Sequence, residues 1–139
     1  MDRKEQILMW AGIALILATG GIHVIDGPDA FSEAAYKGWL FYANGAAALL
    51  AAVGIITRQR WAWPLGFAVA LGSIVGYVLS RTIGLPGIPA EPEAWFEPLG
   101  VASIIAEAGY LAVMKISGNC FLCGMLKNKN ADGKGSCRS

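Results

Sequence analysis

The chain has 139 residues, 55% of them hydrophobic and only 15% charged, with a formal net charge of +1 and a mean hydropathy of +0.51. A soluble domain usually carries about 25% charged residues, so this composition excludes an ordinary water-soluble core. The net charge by itself says nothing about nucleic acid, but no basic recognition helix is present, so nucleic acid is not an expected partner.

The apolar residues fall in four blocks, each close to the roughly 20 residues that a helix needs to cross a bilayer. The first runs from about Gln6 to Val24. Its charged start resembles that of a signal peptide, but its long apolar stretch predicts a retained span. Asp26-Gly27-Pro28-Asp29 is expected to end it. The second block runs from about Gly38 to Thr57, and Arg58-Gln59-Arg60 then makes a turn short enough to force an antiparallel hairpin. The third runs from about Trp61 to Ile83 and is stopped by Gly84-Leu85-Pro86-Gly87-Ile88-Pro89. Glu97-Pro98 opens the fourth, about Pro98 to Ile116, with proline in the first turn, where its missing N–H costs nothing.

Lipid offers the backbone no hydrogen-bond partner, and no block shows strand alternation, so each is expected to be helical. The predicted fold is all-α: an integral membrane four-helix bundle over residues 1–117, followed by a Cys- and Lys-containing tail over 118–139. The lipid bilayer is its first expected partner.

Lysine and arginine placement predicts the orientation. Of the eleven, all but Lys37 and Arg81 fall on the side of the termini and of the turn between the second and third blocks. The opposite side carries Asp26, Asp29, Glu33, Glu91, Glu93 and Glu97. Both termini are therefore expected in the cytoplasm, with the protein in a bacterial cytoplasmic (inner) membrane. Trp10, Trp39, Trp61, Trp63 and Trp95 sit near predicted span ends, as an aromatic belt requires.

Close packing between membrane helices favours small residues. The third span has one at every fourth position: Ala68, Gly72, Gly76, Ser80 and Gly84. Packing inside this chain's own bundle is the plainer reading of that ridge; a dimer or partner-subunit contact is the alternative.

Ionisable and amide groups within spans mark function or a buried pair. His23, Asn44, Arg81 and Glu107 stand out, and all belong to the half of the spans away from the termini. Glu107 is deepest, about 15 Å along the fourth span by helical rise. The pattern predicts a polar pocket open to the outer face and floored by Glu107, with Tyr42, Tyr77 and Ser103 as further lining. An inward-pointing Arg81 would reach Glu107 as an ion pair. Such a pair can be purely structural; a ligand, ion or proton site and a contact with a partner's polar group are the other readings.

The three cysteines and single histidine restrict metal chemistry. Cys120 and Cys123 form a CxxC just past the fourth block, but zinc and iron–sulfur sites want four ligands. These cysteines are therefore only weak metal candidates. Reduced thiols on a tail, acylation at the membrane surface, or a redox handle for a partner are the readings left open. No HExxH, P-loop or nucleophile elbow is present, so neither enzyme activity nor a cofactor is expected.

Two segments carry a family resemblance: Ser80-Arg81-Thr82-Ile83-Gly84-Leu85-Pro86-Gly87 and Glu97-Pro98-Leu99-Gly100. With His23 and Glu107, they resemble a family of small four-helix bacterial membrane proteins to which no activity is attached. The resemblance covers about residues 10–113 and implies that Arg81, Glu97, Glu107 and His23 are characteristic positions. The tail lies beyond it. Small size, small-residue ridges and the absence of a catalytic motif point to a non-catalytic accessory or scaffolding subunit of a larger membrane complex. The alternative is a small homo-oligomeric transporter or ligand- or ion-binding protein using the pocket around Glu107.

Overall fold

A computed structural model describes residues 1–118. They form four long helices: α1 Arg3–Glu33, α2 Ala35–Ile56, α3 Ala62–Thr82 and α4 Pro98–Ile116. A short 3-10 helix, Pro92–Phe96, lies on the α3–α4 connection. All four long helices are long and apolar enough to cross a membrane, and at most 33% of any apolar window is buried inside the protein. Large apolar side chains such as Ile7, Leu49, Leu50, Ile105 and Ile116 face outward.

α1 opens on a capping box. Asp2 accepts from the Glu5 backbone N–H at 2.8 Å, and the Glu5 carboxylate accepts from the Asp2 N–H at 3.2 Å. Two first-turn donors are satisfied in this way. The expected stop at Asp26-Gly27-Pro28-Asp29 does not occur, because α1 continues through Pro28 to Glu33. Proline inside a helix costs about 3 kcal/mol, and packing against α2 offsets it. Gly27 lies so close to Tyr42 that an added Cβ would sit 2.9 Å from its ring. Ala30 is buried, and Phe31 packs on Trp39 and Tyr42 with ring centroids 5.5 and 5.6 Å away.

The chain then reverses at one residue. Ala34, extended at φ −159° and ψ 136°, ends α1 and begins α2. Its carbonyl accepts from the Lys37 and Gly38 N–H groups. The α2–α3 turn is as tight as expected. Arg58 takes a left-handed φ of 57°, Gln59 N donates to Gly54 O at 2.8 Å and Arg58 N to Ile55 O at 3.1 Å. This is the Schellman pattern, with arginine where glycine is usual.

α3 ends on Gly84, whose φ is +83°. Leu85 and Ile88 then exchange backbone hydrogen bonds at 2.9 and 2.8 Å around Pro86 and Gly87, with Gly87 at φ +76°. Proline followed by positive-φ glycine is the type II turn sequence. Tyr36 of α2 donates to the Pro86 carbonyl at 2.7 Å and ties this turn to the bundle.

Each helix packs on its neighbours in the chain, and α1 closes the ring against α4. The helices touch most closely where side chains are smallest: at Gly20 an added Cβ would lie 2.7 Å from that of Ala48. The apolar core, including Ile13, Ile16, Ala51, Ala52, Ile55, Val69, Tyr110 and Met114, fills the half of the bundle that holds the α2–α3 turn and the described chain ends. Trp63 stacks on Tyr110 at 5.6 Å and accepts its hydroxyl proton at the Trp63 carbonyl. The other half is hollow.

Candidate functional site

The hollow half encloses a cavity of about 970 Å³ that all four helices and the α3–α4 connection line. Of the residues singled out from the sequence, His23, Asn44, Tyr77, Arg81, Ser103 and Glu107 all lie on its wall. Tyr42 does not; its ring covers Gly27 and Phe31 instead. The ridge on α3 is not an interhelical seam within the chain at Gly72 or Gly76. Space is open beyond both glycines, and with Ser80 they form cavity wall. Cys120 and Cys123 lie outside the described residues.

Arg81 does not pair with Glu107. Its Nη2 donates to Glu97 at 2.8 Å, its Nη1 to Glu91 at 3.3 Å and its Nε to the Ala94 carbonyl at 3.1 Å. The guanidinium also lies over the Tyr77 ring, 4.9 Å from the centroid. The α3–α4 connection folds back over the end of α3 and offers three acceptors to the rigid donor fork. A glutamate deeper on α4 has no share in them. Tyr77 helps hold the same strap: its hydroxyl donates to the Trp95 carbonyl at 2.6 Å, and Gly100 leaves room for its ring.

Glu107 sits at the inner end of the cavity, 1% exposed. Ser103, one turn before it, donates to Oε1. Oε2 has no hydrogen-bond partner among the described residues. The Ser73 hydroxyl lies beside the same carboxyl, and it links the site to α2 by accepting from Asn44 Nδ2 at 2.6 Å. Since Ser73 spends its own proton on the Val69 carbonyl at 2.8 Å, Asn44 must present its NH₂ there. This leaves Asn44 Oδ1 buried and without a partner. Two orphaned acceptors thus flank one hydroxyl. Buried acceptors of this kind are uncommon and call for a specific account.

His23 lines the opposite wall. Its Nδ1 lies 2.9 Å from the Thr19 carbonyl, which places a proton on Nδ1 and leaves Nε2 as an acceptor. Its ring meets Phe41 edge-on at 4.9 Å. Nearer the mouth, Lys37 pairs with Glu33 one turn before it and lies over Phe41 at 5.7 Å from the centroid. The two cavity cations, Lys37 and Arg81, are thus matched by Glu33, Glu91 and Glu97. Asp26, Asp29, Glu93 and Glu107, also on the wall, form no ion pair among the described residues.

Sequence reasoning missed Ser73 and the pairing of Glu91 with Arg81. Serine in an apolar helix bonds its own i−4 carbonyl, so nothing in the pattern separates Ser73 from a packing residue. Among the described residues no group of three or more His, Cys, Asp or Glu is arranged to hold a metal ion. Comparison with protein-family models, curated proteins and solved structures finds no match to this chain.

Proposed function

We propose that this chain is a multi-pass protein of the bacterial cytoplasmic membrane, with both termini in the cytoplasm, that binds a cationic ligand in the cavity from the opposite face. The outward-facing apolar side chains and the one-sided lysines and arginines support the setting. The observation that carries the binding role is Glu107: a fully buried carboxyl on the wall of a cavity of about 970 Å³, with one oxygen unpartnered and no cation among the described residues paired with it. Burying a carboxylate without a partner is expensive, and a bound cation supplies the partner. The surplus of unmatched carboxylates nearer the mouth adds attraction for positive charge and screens out anions. The volume lies within the range of small-molecule sites.

The accessory-subunit reading has less behind it. The ridge that would offer a docking strip has Gly72 and Gly76 on the cavity wall, and the tail lies outside the described residues.

The test is a binding titration on protein in lipid nanodiscs, using small inorganic and organic cations. Glu107→Gln keeps the shape and removes the charge; it is expected to abolish cation binding while expression and thermal stability hold. A Glu107→Gln protein that binds cations as well as the parent would sink the proposal, as would one that loses only stability.

A further inference from the structure

Resting on that cation-binding reading, we propose that the ligand is an organic amine with at least two N–H groups, a primary or secondary ammonium, held between Glu107 Oε2 and Asn44 Oδ1. Both orphaned atoms are acceptors, and both belong to side chains grouped around the Ser73 hydroxyl. A group that satisfies both must donate twice. A quaternary ammonium donates nothing and would leave both oxygens buried without a hydrogen-bond donor, a penalty at each.

Quaternary ammonium recognition depends instead on open aromatic faces. Of the phenyl and phenol rings on this wall, Phe41 lies under Lys37 and Tyr77 under Arg81; Tyr36 and Phe96 are exposed rings eight and eleven positions along the chain from Asn44 and Glu107, away from the two orphaned oxygens. A bare divalent ion is also a poor fit, since it wants six or more oxygen ligands and two are on offer. A cavity of about 970 Å³ has room for carbon chain beside the ammonium, and Leu40 and Leu99 supply apolar wall for it.

Butylammonium and tetramethylammonium are isomers with the same charge and the same atoms, and they differ in N–H groups. Their affinities for the full chain in nanodiscs, measured by competition in NMR titration, test the inference. Butylammonium is expected to bind at least about tenfold more tightly, the value of one lost buried hydrogen bond. Asn44→Leu should shrink that preference, and Glu107→Gln should remove binding of both isomers. If Asn44→Leu does not fold, the ratio in the parent protein still decides. Equal affinities, or a preference for tetramethylammonium, overturn the amine assignment; if Glu107→Gln then still abolishes binding, the cation site stands without it. Failure of both isomers and of inorganic cations to bind, or binding indifferent to Glu107→Gln, overturns both readings.

Discussion

At Arg81 three donors meet three acceptors on one short stretch of chain: Glu91, the Ala94 carbonyl and Glu97. The arginine is 7% exposed, whereas its two carboxylate partners are 42% and 49% exposed, so the value of the cluster lies more in geometry than in charge. A lysine keeps the charge but not the planar fork. Arg81→Lys should therefore loosen residues 84–97 locally, and amide hydrogen exchange there should rise by about tenfold. Exchange in the α1–α2 hairpin should not change. Uniform exchange across both regions would mean that Arg81 supports the whole bundle rather than its strap. Glu107 was legible in the sequence as a buried acid, because a carboxyl in the middle of an apolar block has few alternatives. So was Ser103, four positions earlier on the same helix face. Its neighbour from another helix, Ser73, was not, and whether Arg81 meets Glu107 depends on where residues 84–97 return, which does not follow from spacing along one helix.

Among the elements, the breakers divide into those that break and those that tertiary contacts override. Gly84 terminates α3 with a φ of +83°, and an added Cβ would lie 2.6 Å from the Ile88 carbonyl oxygen and 2.8 Å from the Ala90 nitrogen. Gly87 has a similar φ of +76° but open space around it. Gly84→Ala is expected to destabilise the protein by about 2–3 kcal/mol, backbone strain and clash together, against about 1 kcal/mol for Gly87→Ala. Thermal unfolding in detergent compares the two, and a smaller loss at 84 would contradict the packing described. Pro28 is the opposite case. Local chemistry favours a stop, but Gly27, Ala30 and Phe31 make contacts on α2 that only the continued helix provides. Pro28→Ala restores a backbone donor without touching those contacts, so it should raise the melting temperature rather than lower it.

The whole molecule is packed at one end and hollow at the other. The apolar core lies toward the α2–α3 turn, and the polar cavity lies toward Ala34 and the α3–α4 strap. If the proposed orientation holds, Gln59→Cys and Glu93→Cys, each in a background with the native cysteines changed to serine, should label oppositely. A membrane-impermeant thiol reagent added to intact spheroplasts should reach position 93 and miss position 59. The reverse pattern would invert the topology and turn the cavity toward the cytoplasm.

The amino-acid order alone determined the number of long helices, the approximate extents of α2, α3 and α4, and the gathering of His23, Asn44, Arg81 and Glu107 in one half of the bundle; the end of α1 it did not. Hydropathy and helical rise are properties of a segment by itself, and they fix how far along its helix each residue lies. Only the tertiary structure decided which of these residues meet. Arg81 turns to a connection that folds back over α3, Asn44 reaches across to Ser73, and Glu107 is left on the cavity wall with one oxygen unpartnered among the described residues. Those outcomes depend on how the helices rotate about their axes and where the connecting chain returns. Both are set by contacts between distant segments, such as Gly20 on Ala48 and Gly27 on Tyr42.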